Sequence, residues 1–405
     1  MSQYPKTYIE QMHLAGYKSI KDLSVHLQPD LNIIIGANGS GKTNFLEFIE
    51  AAFKNDFERL FAERAFTLTI KGHIDAPEGT FSMDMTGKKN TDRRSKKDAY
   101  IVEEHLGDGQ MNIYNLDDNK KGTWFSSQNL NTQPSIRYLQ FDNPLNFILQ
   151  EKLSIVLDFA FDEKNGYSIT SYLKDSSQYT FLNDLFNIDP TISRNRWTGY
   201  DSIEGAVKDV INNRVFEDIK YLLESLKRYT PIKDFKIDWD LTRRTIKKDE
   251  KDERTGTALI EAIDFLFFVN DEWLNWTQLS DGTKRLFYLI GSLEYAEPNQ
   301  IFLLEEPEIG IYPHQLTLLM NFIKSYSQHT QILMTTHSPQ VLNCLKESEL
   351  DNIIIARNEG KAGTKMYHLS EDEKGFASNY MKNDAFLSDY WIQSGFVNEE
   401  SMESL

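Results

Sequence analysis

Apolar residues recur along this chain with two different periods, and the positions where the period changes divide it into three stretches. Residues 8–17 and 23–27 alternate as half-buried strands do. Residues 31–35 (LNIII) form the short, unbroken apolar run of a buried strand. A glycine-rich turn follows at once, and residues 42–54 then carry Phe45, Phe48, Ile49 and Ala52 at the spacing of a helix with one buried face. Residues 66–141 read as β-rich, with 80–85 and 99–103 as paired strands. From 144 to 226 the pattern reads as amphipathic helices broken at Asn165 and Gly166 and again at Asp189 and Pro190. The clearest of these helices is 203–227, and no sustained heptads predict a long coiled coil. Strand patterning returns at 235–241 and 259–268. The last third alternates helix 284–295, strand 301–304, helix 313–327, strand 331–335 and strand 353–356, which predicts a parallel sheet with crossover helices.

Composition narrows the picture in three ways. No stretch reaches the roughly 20 apolar residues that would span a bilayer, and the N-terminus lacks a basic flank followed by an apolar run, so a cytoplasmic protein without membrane association is expected. Cys344 is the single cysteine, which excludes an internal disulfide and a cysteine-rich zinc site. With 44 basic against 61 acidic side chains the net charge is −17, so a broad electrostatic footprint for nucleic acid is excluded and any DNA contact must come from a local patch. The basic runs at 88–97 and 243–254 are the two candidates. Solvated β-hairpin tips are the alternative, and the second run is interrupted by acids.

Gly36-Ala37-Asn38-Gly39-Ser40-Gly41-Lys42-Thr43 matches the G-x-x-x-x-G-K-[ST] phosphate-binding pattern in full, directly after an apolar strand and at the start of a helix. In that context backbone N–H groups and the positive helix end converge on phosphate, Lys42 reaches the outer phosphates, and the Thr43 hydroxyl can ligate Mg²⁺. Three later segments carry further chemistry. Leu279-Ser280-Asp281-Gly282-Thr283-Lys284-Arg285 precedes a helix and is either an N-cap and turn or a set of donors for phosphate. Residues 301–308 (IFLLEEPE) form an apolar strand ending in the adjacent carboxylates Glu305 and Glu306. Residues 331–339 (QILMTTHSP) form a strand ending in His337, one helix and one strand later, which places it at the same sheet edge as Glu306.

Taken together, these motifs resemble the SMC- and RecF-like branch of the ABC-type ATPases, across roughly residues 8–145 and 260–358. The resemblance implies an α/β ABC-type P-loop ATPase fold with a β-rich lobe and an inserted helical region. It divides the chain into an N-terminal ATPase lobe at 1–145, a helical insertion at 146–260, a C-terminal ATPase lobe at 261–368 and a tail at 369–405. It implies ATP and Mg²⁺ as ligands and an ATP-sandwich homodimer or higher homo-oligomer. In such an assembly the partner's signature loop, with Ser280 and the Gly282 backbone, covers each nucleotide. Asp281 and Thr283 depart from the family's LSGGQ. By the same resemblance Glu305 stands at the metal-side position, where the family usually has Asp, and Glu306 is the base that polarises water. His337 is the switch histidine on the γ-phosphate. Asn38 and Asn44 belong to the nucleotide loop, and Lys18 in GYKSI approaches the nucleotide. Gln140 senses Mg²⁺ unless its segment is a plain sheet strand, and 309–313 occupy the loop through which subunits communicate.

Motif spacing and the run 306–314 (EPEIGIYPH) also look like the compact ATPases of bacterial anti-phage defence, of the OLD, Septu and PARIS types. Residues 369–405 are too short for the TOPRIM nuclease that follows the ATPase in OLD proteins, so the expected partner is a separate effector, such as a nuclease. A RecF-like repair ATPase that binds DNA directly is the alternative. A transporter subunit is disfavoured by the long insertion. The aromatic-rich tail at 386–396 either docks a partner or packs as a last helix.

Overall fold

The computed structural model describes residues 7–61, 65–74, 79–89, 100–106, 111–116, 122–123, 135–140, 153–164, 166–173, 196–202, 205, 209, 217–238, 244–249, 255–294, 296, 299–383 and 386–394. Three short strands open the chain: Tyr8–Tyr17 (β1), Ile20–His26 (β2) and Leu31–Ile35 (β3), followed by helices Lys42–Phe53 (α1) and Phe57–Leu60 (α2). A meander follows of Ala65–His73 (β4), Phe81–Lys89 (β5), Tyr100–Leu106 (β6), Met111–Leu116 (β7) and Gly122–Thr123 (β8), and then comes Ser135–Gln140 (β9). The middle of the chain holds Leu153–Asp162 (β10), Gly166–Leu173 (β11), Arg196–Tyr200 (β12), helix Glu217–Tyr229 (α3), Ile232–Asp238 (β13), Arg244–Lys248 (β14), Thr255–Val269 (β15), Glu272–Asn275 (β16) and helix Asp281–Glu294 (α4). The chain closes with Gln300–Glu305 (β17), helix Pro313–Ser327 (α5), Ile332–Thr336 (β18), Ile353–Asn358 (β19), Thr364–His368 (β20) and helices Glu371–Lys382 (α6) and Leu387–Ser394 (α7).

The chain divides into two compact units, the first comprising residues 1–142, 297–309 and 319–405 and the second 143–296 and 310–318. In the first unit the sheet that carries the chemistry has the order β20-β19-β3-β18-β17-β9. Its five strands from β19 to β9 pair in parallel, and only β20 is antiparallel. This is the parallel sheet that the alternation predicted. β3 is buried along its whole length, as a strand covered on both faces must be. The other sheet of this unit, β2-β1-β4-β5-β6-β7-β8, is an antiparallel meander. α1 packs into the core on the face the sequence marked, with Phe45, Phe48, Ile49 and Ala52 at most 1% exposed.

A buried polar side chain helps join the two sheets of this unit. The Gln331 amide accepts from the Ile9 backbone N–H at 2.8 Å and donates to the carbonyls of Ile9 at 2.7 Å and Gln28 at 2.8 Å. It is fully buried and serves both backbone groups of Ile9, while the Gln28 carbonyl also accepts from the Asn32 amide at 2.9 Å.

The second unit corrects the expectation of helices at 144–226. Residues 153–162 and 166–173 pair as antiparallel strands in the order β12-β11-β10-β15-β13, with β14 and β16 also on β15. The cause lies in the periodicity. Leu153, Ile155, Leu157, Phe159 and Phe161 alternate with period two, and Ile155, Val156, Phe159 and Phe161 are β-branched or aromatic, which favours the pleated strand over a helical stripe. Of the expected helix at 203–227, α3 is its C-terminal half, with Leu222 and Leu226 fully buried. The expected break at Asp189 and Pro190 lies outside the described residues, as does Asn165. α4 packs on α3 within this second unit. Of the basic runs, Lys88 and Lys89 lie on β5, and 244–248 form β14 beside β15. Residues 90–97 of the first run, and 243 and 250–254 of the second, lie outside the described residues. Among the described residues no helix is long and apolar enough to cross a membrane.

Replacing Gln331 with Leu keeps the volume but takes the side-chain partner from the Ile9 N–H and carbonyl, while the Gln28 carbonyl keeps the Asn32 amide. We expect a loss of about 2–4 kcal/mol of stability, read as a lower urea midpoint; an unchanged midpoint would show that the tie between the sheets contributes little.

Candidate nucleotide site

The loop Gly36–Thr43 leaves the C-terminal end of β3 and turns into α1. Two of its glycines are demanded by space. A Cβ on Gly36 would stand 2.3 Å from the Ala356 carbonyl oxygen, and one on Gly41 would stand 2.0 Å from the Thr364 hydroxyl, with Gly41 also at φ +96°. Gly36, Ser40, Gly41 and Lys42 are buried, while Ala37, Asn38, Gly39 and Thr43 are exposed along the mouth.

Lys42 lies at the centre. Its ammonium donates to the carbonyls of Gly36 at 2.9 Å and Ala37 at 3.2 Å and approaches His337 Nδ1 at 3.0 Å. Burial pushes its pKa down to about 8, against the opposing pull of the Glu306, Glu308 and Glu305 carboxylates. His337 Nε2 pairs with the Glu306 carboxylate. One imidazole assignment satisfies both contacts: Nε2–H donates to Glu306 and Nδ1 accepts from Lys42. Gly36 O, 3.1 Å from Nδ1, then takes its hydrogen bond from Lys42.

Glu306 stands just beyond β17 in the left-handed region, at φ +46°. Residues other than glycine rarely adopt this conformation, and such strain collects at functional positions. Its backbone N–H is fixed by the Thr335 carbonyl at 3.1 Å. Glu305, the last residue of β17, accepts from the Thr43 hydroxyl on one oxygen and from the Tyr138 hydroxyl on the other. Gln140 ends β9 directly beside Glu305 in the parallel register.

The sequence-marked residues of the first unit thus converge, with two exceptions. Lys18 sits in the turn between β1 and β2 and pairs with Glu47 of α1. Asn44 donates to Ser19 Oγ at 2.7 Å, and Ser19 in turn contacts Thr364 at 2.7 Å, so Asn44 fastens α1 to that turn. In the second unit Ser280 caps α4, its hydroxyl accepting from the Thr283 N–H at 3.2 Å, and Gly282 is buried against the Gly310 carbonyl. Four participants escaped sequence reasoning: Tyr138, Glu308, Thr364, and Asn358, whose amide donates to the Gly39 carbonyl at 3.2 Å. Only Tyr138 had a legible signal, since it lies two residues before Gln140 and so on the same face of its strand.

The donor set fits Mg²⁺ and a triphosphate. Among the described residues no cluster of three or more histidine, cysteine or carboxylate side chains could cage a metal. A hydroxyl and a carboxylate in direct contact, Thr43 and Glu305, suit an ion that keeps water and takes phosphate oxygens as its remaining ligands.

A glycine loop between a parallel strand and a helix, with carboxylates and a histidine at the ends of the two strands beyond it, defines a P-loop ATPase of the RecF and SMC type. The chain belongs to the family described as "AAA domain, putative AbiEii toxin, Type IV TA system", whose model matches residues 31–343. It is similar to the DNA replication and repair protein RecF of Lactococcus lactis subsp. cremoris, at 24% identity over 365 residues, covering 85% of this chain and 93% of that protein. It is also similar to the RecF protein of Lactobacillus johnsonii, at 24% over 382 residues, covering 81% and 92%. Among solved structures, an SMC head bound to the C-winged helix domain of ScpA aligns at TM-score 0.46 and 16% identity over 91% of this chain and 99% of that one. The SMC head domain from Thermotoga maritima aligns at TM-score 0.41 and 13% identity over 89% and 99%.

Gly41→Ala adds a methyl group where φ is +96° and Thr364 is in the way. Binding of a fluorescent ATP analogue should weaken at least tenfold, which corresponds to about 1.4 kcal/mol. Adding Thr364→Ala should restore it only in part, because the backbone penalty remains. Full affinity in the single variant would show that the loop tolerates a different path.

Proposed function

We propose that this ATPase is an ATP-driven switch that works as a homodimer or larger homo-oligomer and governs a separate effector protein. The observation that carries this reading is the convergence of Lys42, His337, Glu306, Glu305 and Thr43 at the ends of three adjacent parallel strands. In this reading Lys42 and the loop amides, with Asn38, meet the phosphate charge. Glu306 polarises the attacking water, and His337 contacts the γ-phosphate while holding Glu306 in place. Thr43, Glu305 and Gln140 would hold Mg²⁺, which supplies further charge neutralisation. Most of the rate then comes from positioning and electrostatics. Ser280 and the Gly282 backbone, at the start of α4, would complete the partner subunit's site, so that ATP acts as glue between copies and hydrolysis loosens them.

The biological role we favour is the regulatory ATPase of an anti-phage defence complex, holding or releasing an effector such as a TOPRIM nuclease. The family's description, which names a toxin system, goes with this reading. So does the acidic balance of the chain. The second reading, a RecF-like ATPase acting on DNA directly, is favoured by the relatives that match most of the chain, which are DNA replication and repair proteins.

Wild-type and Glu306→Gln proteins, compared for hydrolysis and particle mass with and without MgATP, test the switch. We expect the variant to bind ATP, lose at least about a hundredfold in turnover, and gather into a heavier particle with ATP. Turnover at the wild-type rate would remove Glu306 from catalysis, and a mass indifferent to nucleotide would remove the ATP-bridged dimer. The DNA reading is tested by anisotropy of a labelled duplex at 50 and 200 mM salt. The defence reading expects no binding, whereas tight binding that falls steeply with salt would put RecF-like action first.

A further inference from the structure

Glu308 lies two residues past Glu306, beyond Pro307, and is only 9% exposed. One carboxyl oxygen accepts from the Thr336 hydroxyl, and the backbone N–H groups of Glu308 and His337 face the same carboxyl. The other oxygen, Oε2, is buried without a hydrogen-bond partner among the described residues. Thr336 is itself fully buried, and its hydroxyl accepts from the Ser338 N–H at 2.9 Å. The Thr336 hydroxyl therefore bridges the segment after β17 and the turn after β18, and His337 is the residue enclosed between its two bonds.

We infer that Glu308 is a positioning residue: through the Thr336 hydroxyl and the His337 backbone it fixes the strand end that presents His337 to Lys42 and Glu306. The catalytic consequence rests on the hydrolytic reading above; the tie itself does not. A buried carboxyl with a half-satisfied hydrogen-bond capacity is costly, and burial pushes its pKa up. An apolar side chain of similar size would fill the space at lower cost but could not accept from Thr336. What the carboxyl adds is direction. The turn that carries His337 is fastened to the segment that carries Glu306, so the two members of the pair keep a common frame.

The test uses Glu308→Ala, Glu308→Gln, Thr336→Val and the Ala/Val double variant, with two readouts. The first is the NMR signal of the His337 ring in nucleotide-free protein, identified by its loss in His337→Asn. Glu308→Ala and Thr336→Val should each move that signal, and Glu308→Gln, whose amide oxygen can accept the same hydroxyl, should leave it close to the wild-type position. The second is steady-state hydrolysis. The Ala and Val variants should lose roughly 10- to 100-fold in kcat with KM for ATP within about twofold. The double variant should be no worse than either single variant, as for two residues acting through one bond, and Gln should recover most of the loss. If Glu308→Ala fails to fold, the Gln and near-isosteric Val variants carry the comparison. An unmoved His337 signal, an effect confined to KM, or a Gln variant as impaired as Ala overturns the inference. If the signal moves as expected but wild-type protein does not hydrolyse ATP, the tie stands and the hydrolytic reading alone falls.

Discussion

An ammonium group kept almost out of water at the end of a parallel sheet is the feature around which the rest of this molecule is arranged. Lys42 needs acceptors on every side to stay charged there, and the sheet register provides them. Thr336 pairs with Ile35 and Thr335 with Glu305, so one step beyond the paired residues stand Gly36, His337 and Glu306. Those three then meet Lys42 or one another directly. A slip of one residue between β3, β18 and β17 would turn each of these side chains to the opposite face, because the strand period is two. The site is therefore a consequence of register, and register is fixed by the buried faces of β3 and β18, both apolar except for Asn32, Thr335 and Thr336.

Holding that register requires the surrounding layers. α1 places Phe45, Phe48 and Ile49 in the same core as Ile301, Leu303 and Leu333 of the parallel sheet and Met12 and Leu14 of the antiparallel one. Gln331 adds direction to this packing, since hydrophobic contact alone is indifferent to small slides while three hydrogen bonds to fixed backbone groups are not. On the other side of the loop, Thr364 and Asn358 come from β20 and β19, so the hairpin at the sheet edge buttresses the glycine loop. Thr364 of this hairpin leaves Gly41 no room for a side chain, and the Ala356 carbonyl of β19 leaves Gly36 none.

What could be read from the sequence follows from how locally each feature is encoded. The glycine loop, β3 and α1 are written in consecutive residues, and residues 31–35 and 313–327 coincide with β3 and α5 in the structure. Glu305, Glu306 and His337 were legible because each ends an apolar strand, and strands of one parallel sheet bring their ends together. β10 was not, because Val156 and Ala160 put apolar residues at the positions that alternation would make polar, and so blur it enough to pass for a helical stripe. Glu308, Thr336, Thr364 and Asn358 were beyond reach for another reason. Each acts through a partner at the far end of another element, and no local pattern separates a buried threonine that joins two loops from one that merely fills space. Lys18 shows the converse, a residue marked by its motif that the structure commits to Glu47.

The contacts within the site also constrain how a triphosphate could enter. Thr43 is bonded to Glu305, Lys42 to two loop carbonyls, and His337 to Glu306, so the polar groups are largely satisfied by one another. Binding must then be an exchange of partners. Three carboxylates within electrostatic reach of Lys42 would repel phosphate if left unopposed, and Lys42 alone cannot balance both them and a triphosphate. In the proposed reading Glu305 and Thr43 would hold a divalent cation that offsets this charge, while Glu306 stays held by His337.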